Sequence, residues 1–471
     1  MVKSAVYLAA ICLTAAHFGS SSSMDGLSFA LNKHTSLHNE LPHPALPYRR
    51  RGSAYTYQND QIRLAPTSPS SVDLSHQSVV YTINVGVGTP PQEQTLLIDT
   101  DNSDIVVFSS TSEQCRRSKW GCGGGYNPLA SSTYSNVDVN FVFGFANQSD
   151  TARGSFVKDD IWLGDYLVPD QQLALVEDSI LDFDIQGVLG LGYMAKQQSD
   201  SKYETIASKL FGQNQQAIKP MFALYLDSRR SESQISKPSA RSLTRVEKSA
   251  MFPKLLGRAS TTAPPLLASA SLDVGHLDSA KHAGDMLAFV HCTSEHDFSV
   301  RLSDLRMHNS SSSAANAVSR SLFNFDTDGY VDVLLDSGTI GILVPDSVAD
   351  AMAASIAPTA TYDTSLPGYR VACNAVSSAR ADYLEFEFTV AGLGSNESSK
   401  MIKVAHSEIS RKLNTTLTQE QPDEQCMLDI VRESTYNIGN ILGTAFLSSV
   451  YAVFDVDEHR VGLAQAAYYQ F

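Results

Sequence analysis

Cysteine is scarce in this chain, with six among 471 residues, and tryptophan is scarcer still at two. So few cysteines over that length cannot staple a small loop-rich scaffold, so the fold must rest on an apolar core. Charged residues make up only 18% of the chain, and acidic ones exceed basic ones to give a net charge of −15. An acidic chain repels phosphate backbones, which excludes nucleic acid as an expected partner. The same balance suits acidic surroundings, where protonation trims the excess negative charge. With 28 glycines and 18 prolines, the chain is no low-complexity polymer. Its 43% of hydrophobic residues is enough for one large core or two.

Only the N-terminal segment Met1 to Ala16 carries an apolar run, which follows its one lysine, Lys3, and is followed by small residues from Gly19 to Ser23. The run is too short to span a bilayer, and residues 1–23 read as a secretory signal peptide. A buried N-terminal helix is the plain alternative. No hydrophobic tail closes the sequence at Phe471, so no lipid anchor is expected. Secretion is the expected fate, with the vacuole as another destination of the same pathway. Leaving Cys12 in the signal, five cysteines remain. In an oxidising compartment Cys115 and Cys122 can close a small loop and Cys373 with Cys426 a larger one. Cys292 is then left over, as a buried free thiol or a reactive one. Asn147, Asn309, Asn396 and Asn414 head glycosylation sequons, a pattern also common by chance.

Residues 24–75 show little periodic apolar pattern and are interrupted by Arg49-Arg50-Arg51. A basic triplet after a signal peptide reads as a processing site, giving a pro-segment over 24–51, or on to about residue 75. A solvated charge cluster is the bland reading. From residue 79 short strand-like runs alternate with turn residues, as in Val79–Val85, Thr95–Ile98 and Tyr451–Phe454, while Asp346–Ile356 is the best helix. The expected fold is mostly β. Residues 229–268 break that texture; the serine-rich stretch from Arg229 carries eight basic residues against two glutamates. It is expected to be a flexible surface insertion between an N-terminal lobe (76–228) and a C-terminal lobe (269–471), with Arg229-Arg230 as a nicking site.

An internal repeat runs across this division. Leu96-Leu97-Ile98-Asp99-Thr100-Asp101-Asn102 echoes Val333-Leu334-Leu335-Asp336-Ser337-Gly338-Thr339. Each copy is a buried-strand run ending in an Asp, then a hydroxyl residue and a tight turn. Each is followed by a second echo, Gly187-Val188-Leu189-Gly190 and Asn440-Ile441-Leu442-Gly443. Two lobes of one design, each offering a carboxylate to a shared cleft, account for the pattern. Two carboxylates at short range cannot both ionise, because like charge raises one pKa. They share a proton, so one can act as base on a water while the other donates to a carbonyl oxygen. Thr100 and Ser337 can hydrogen-bond across the junction and fix both turns.

With these motifs in order, the chain resembles the pepsin-like aspartic proteases (family A1), nearest the fungal secreted and yapsin-like branch. Tyr81 to Gln92 resembles the strand before that family's first motif, Leu335-Asp336-Ser337-Gly338-Thr339 its second motif, and Ser271 to Gly284 its interlobe stretch. Ile441 to Phe446, Val453-Phe454-Asp455 and Arg460 to Ala464 resemble its C-terminal lobe, and the pairs Cys115–Cys122 and Cys373–Cys426 fall at two of its disulfide positions. The resemblance implies a bilobed β fold with a central cleft, a pro-segment, and endopeptidase activity at acid pH on protein or peptide substrates. It implies Asp99 and Asp336 as the catalytic pair, and neither cofactor nor metal. A monomer without a membrane anchor is expected.

Departures gather at the first motif. The family has Asp-Thr-Gly-Ser where this chain has Asp99-Thr100-Asp101-Asn102. Asp101 keeps the turn's N–H and adds a third carboxylate near the pair, while Asn102 replaces an orienting hydroxyl with an amide that can donate from a longer arm. Phe143 stands where the family's flap has tyrosine, Gln186 where an aspartate is usual, and Val106 where tryptophan is common. Two readings follow: an active secreted endopeptidase, or a weakened relative that binds peptides, proteins or glycans in its cleft. A β-rich structural protein leaves the paired repeats unexplained.

Overall fold

The computed structural model describes residues 27–36, 78–112, 115, 125–144, 151–164, 166–180, 187–212, 220–226, 270–283, 287–308, 320–322, 329–376, 382–390, 398–413 and 425–467. The signal peptide, the basic triplet, the 229–268 insertion, Cys122, Gln186 and all four sequon asparagines lie outside these residues.

Strand alternation builds the N-terminal lobe. In Gln92–Asp99 the buried residues recur at every second position, Gln94, Leu96 and Ile98, the period of a strand with one face on a core. It pairs antiparallel with Ser78–Val87, Thr82 facing Leu97 and Val87 facing Gln92. The hairpin belongs to an eight-stranded sheet that ends on the long strands Ser135–Gly144, Thr151–Leu163 and Tyr166–Ile180. At the centre of this sheet Gly187–Gly190 threads between two strands. It runs parallel to Gln92–Asp99, with Asp99 facing Gly190, and antiparallel to Ile105–Phe108.

The C-terminal lobe repeats this device. Ile441–Leu442 lies between Val331–Leu335, to which it is parallel, and Ile342–Val344, to which it is antiparallel. The two sequence echoes are therefore two threadings of a short apolar strand past an aspartate turn, the structural content of the internal repeat. Asp346–Ile356 is an α-helix that buries Val348, Ala349, Met352, Ala353 and Ile356, a stripe at helical spacing.

A six-stranded sheet joins the lobes, in the order Leu27–Ala30, Ser271–Val274, Met221–Tyr225, Val450–Asp455, Arg460–Gln465, Ala288–His291. Above it Phe222 stacks on Phe454 with ring centroids 4.8 Å apart, and Phe298 meets Phe454 edge-on at 4.7 Å. The resulting core is continuous between the lobes, so the lobe junction is packed rather than hinged on a linker.

The span expected to be a pro-segment contributes two strands. Leu27–Ala30 pairs antiparallel with Ser271–Val274 at the edge of the joining sheet, and Asn32–Ser36 pairs with Ser78–Val87. Leu31 between them is buried, its N–H on the Ala270 carbonyl. Ser28 donates to Asp273, whose buried carboxylate is held by Lys281 at 2.6 Å. The absence of an apolar period hid these strands because an edge strand is held by backbone hydrogen bonds as much as by side chains.

Candidate active site

Asp99 ends its strand and Asp336 follows Val331–Leu335, so both sit where a sheet strand gives way to a tight turn. The threaded strands clamp the turns: Leu191 N–H donates to the Asp99 carbonyl at 2.8 Å, and Asp336 N–H to the Leu442 carbonyl at 3.2 Å. The turns are then tied to each other. Thr100 Oγ1 donates to the Leu335 carbonyl at 2.8 Å and accepts the Ser337 N–H at 3.0 Å. Ser337 Oγ donates to the Ile98 carbonyl at 2.8 Å. Each hydroxyl reaches the strand of the opposite lobe, and both residues are buried. Such bonds are worth more out of water, so they hold the carboxyls at a fixed separation.

Each carboxylate is also cradled by its own turn. Asp99 Oδ1 accepts the N–H groups of Asp101 and Asn102, both at 2.9 Å. Asp336 Oδ1 accepts the Gly338 N–H at 2.8 Å, and its Oδ2 accepts the Thr339 hydroxyl. Gly338 is required by close approach: a Cβ there would lie 2.7 Å from Asp99 Cγ.

Both aspartates hold their protons above the ordinary range. Burial raises Asp99 first and the Asp101 charge second, against the two backbone N–H groups and the bond to Asp336. Asp336 is raised as well, by burial, then the Asp99 charge, then the Asp101 charge, with Thr339 and Gly338 opposing. This arrangement favours one shared proton over two free carboxylates.

The structure brings Asp99, Asp336, Thr100, Ser337, Gly338, Thr339, Asp101 and Asn102 together, but Asn102 does not stand in for a hydroxyl. Only its backbone N–H reaches Asp99. Its side-chain oxygen accepts the Asp104 N–H at 3.1 Å, and its Nδ2 is buried without a partner. An asparagine in a turn bonds more readily to its own backbone two residues on than to a neighbour's side chain. Phe143 lies in Ser135–Gly144 with its backbone opposite Ala152. In the same hairpin Phe141 packs on Phe156 at 5.4 Å, and Val106 fills that cluster.

Sequence reasoning missed two residues at the site. Lys196 Nζ lies 2.8 Å from Asp101 Oδ1 and 3.4 Å from Asp297 Oδ2. A third carboxylate beside a dyad needs a cation, but its position was not readable from local sequence.

Among the cysteines, Cys373 and Cys426 form a disulfide. Cys115 is disulfide-bonded too, and its expected partner lies outside the described residues. Cys292 is a free thiol that burial, with the Asp297 charge, pushes up to about 12, so it stays protonated and inert.

The family profile of the eukaryotic aspartyl proteases matches residues 80–237 and 265–466. Secreted aspartic protease 3 of Candida albicans is 28% identical over 411 residues, covering 84% of this chain and 82% of that protein. Secreted aspartic protease 1 of Candida albicans is 26% identical over 406 residues, covering 84% of each. Secreted aspartic protease 6 of that species is 24% identical over 406 residues, covering 85% of this chain and 79% of the relative. Two lobes built alike around interlocked aspartate turns, and a profile that follows them both almost end to end, make this chain a member of the eukaryotic aspartyl protease family.

Proposed function

We propose that the protein is a secreted aspartic endopeptidase that hydrolyses peptide bonds at acid pH through a water held between Asp99 and Asp336. The observation that carries this reading is the pair of carboxyls, Asp336 buried and Asp99 half-buried, each cradled by its own turn and fixed by hydroxyls that cross between the lobes. Two carboxylic groups sharing one proton are the established pattern for this chemistry. The ionised member takes a proton from the water while the protonated one donates to the carbonyl oxygen, and the roles reverse as the amine leaves. The water oxygen adds to the carbonyl carbon, and the C–N bond of the resulting tetrahedral diol breaks with no bond made to the enzyme. The shared proton is retained only below the raised pKa values, so activity belongs to the acid side.

Secretion follows the same line: the relatives are secreted aspartic proteases, and no helix among the described residues is long and apolar enough to cross a membrane. The chain acts on peptides as a monomer, released from a pro-segment by cleavage after Arg51. Asp101 favours a second reading, a cleft that binds without cleaving, because its charge presses on both dyad members. Its pairing with Lys196 favours the enzyme.

The test is cleavage of a denatured protein between about pH 3 and pH 6, with and without pepstatin. Pepstatin-sensitive cleavage that vanishes in Asp336→Asn supports the peptidase. Pepstatin binding without cleavage means a binding cleft.

A further inference from the structure

We propose that Lys196 is a charge-balancing positioning residue, which offsets Asp101 so that the Asp99–Asp336 pair can hold a single shared proton at acid pH. This deepens the peptidase reading and rests on it.

Three carboxylates crowd the cleft floor, and one of them, Asp101, occupies the turn position where the other lobe has Gly338. Lys196 is placed against it by the fold. Gly192 N–H donates to the Asn102 carbonyl at 2.7 Å, binding this segment to the first turn. One 3-10 turn later, Met194–Lys196, the ammonium arrives 2.8 Å from Asp101 and 3.4 Å from Asp297. The lysine side chain is 15% exposed and that of Asp101 36%, so solvent screens the pair in part. Asp297 belongs to the opposite lobe, just before Ser299–His308, and its carboxylate accepts the Ser299 N–H at 3.1 Å. One cation therefore sits between the altered turn and the opposite lobe.

Asp99 and Asp336 lie on one side of this cluster and Asp297 on the other. Behind Lys196, Tyr193 is raised by burial and the neighbouring Cys292, and Cys292 is itself raised by burial and Asp297, so both stay neutral in acid. His459 stacks on Tyr193 at 5.3 Å, and Asp455 lies beyond. Lys196 itself is held charged: burial opposes the charge, but Asp101 and Asp297 outweigh it.

The sign follows. Without Lys196, the unbalanced Asp101 charge raises both dyad values, and without Asp101, the surplus cation lowers them. In the full-length secreted chain, Lys196→Met is expected to move both limbs of the pH profile of kcat/KM upward by about one unit, costing about tenfold on the acid side. Lys196→Arg keeps the wild-type profile. Asp101→Gly alone moves the limbs downward, and Asp101→Gly with Lys196→Met returns them to the wild-type position. Limbs unmoved in Lys196→Met overturn the proposal. So does a double variant as displaced as Lys196→Met alone, which would make Lys196 a latch on Asp297. If Lys196→Met fails to fold, the downward shift in Asp101→Gly is still expected, and its absence overturns the proposal. Nuclear magnetic resonance titration of carbon-labelled aspartate, assigned with Asp99→Asn and Asp336→Asn, reads the same dyad shifts without turnover. A wild-type chain with no cleavage would then sink the peptidase reading alone, while an unchanged dyad titration in Lys196→Met would sink this one.

Discussion

The aspartate turn of the C-terminal lobe reads Asp336-Ser337-Gly338-Thr339, and that of the N-terminal lobe reads Asp99-Thr100-Asp101-Asn102. At the second position the two agree, and each hydroxyl bonds to the strand of the other lobe. At the third and fourth positions they part. The C-terminal turn gives its carboxylate one backbone N–H and one hydroxyl, while the N-terminal turn gives two backbone N–H groups. A backbone donor exists whatever the side chain, so a turn can lose its glycine and its hydroxyl and still hold its aspartate. The side chain at position three is free to vary only where it has somewhere to go: Asp101 leans out to Lys196, whereas a Cβ at Gly338 would meet Asp99.

The largest effect expected is that of Asp336→Asn, which leaves no proton to share. Peptidase kcat/KM falls by roughly a thousandfold, with circular dichroism unchanged; residual activity near wild type would remove Asp336 from the chemistry. Next comes Gly338→Ala. Its methyl displaces the Asp99 carboxyl and costs about a hundredfold in kcat/KM, whereas Asp101→Ala at the matching position costs far less. Equal losses in those two variants would erase the distinction between the turns.

Thr100→Val keeps shape but strips the Leu335 carbonyl of a donor and the Ser337 N–H of its acceptor. Thermal or denaturant unfolding is expected to show a loss of about 1–3 kcal/mol. Ser337→Ala, which breaks the single bond to Ile98, should cost less, about 1 kcal/mol, and the reverse ranking would show that the two hydroxyls are not equivalent clamps. Asn102→Ser is the smallest change, restoring a hydroxyl beside Asp99 and removing a buried unpartnered amide nitrogen. A gain of about fivefold in kcat/KM, equal to one hydrogen bond, is expected; no gain would mean that two backbone donors already saturate Asp99.

Stability carries the same comparison in pH. Both aspartates bind protons more tightly folded than unfolded. Their contribution is therefore fully present below the unfolded value near about 3.9, and it is lost as pH rises through the raised native values. Since Asp336→Asn removes that loss, the variant's melting temperature should gain on wild type as pH increases. A difference that stays constant with pH would show that the carboxyls are not raised.

How far the site could be read from sequence depended on whether its parts were contiguous. Asp99, Thr100, Asp336 and Ser337 were legible because each turn is one short local pattern, repeated. The helix Asp346–Ile356 and the strand run Thr95–Ile98 were legible for the same reason, since each signal is written along a single element. The strands Leu27–Ala30 and Asn32–Ser36 were not, because their partners lie far along the chain and their own side chains show no period.

Sequence alone determined the mostly β fold, the two-lobe repeat and the two aspartates with their hydroxyl partners, since hydrophobic period and turn chemistry are properties of neighbouring residues. Only the tertiary structure decided that Thr100 and Ser337 cross between the lobes, that Asn102 bonds Asp104 instead of offering its amide to Asp99, and that Lys196 stands between Asp101 and Asp297. Those contacts join groups remote in sequence, and the electrostatic balance among buried charges depends on distance through space and on exclusion of water, which no local pattern encodes.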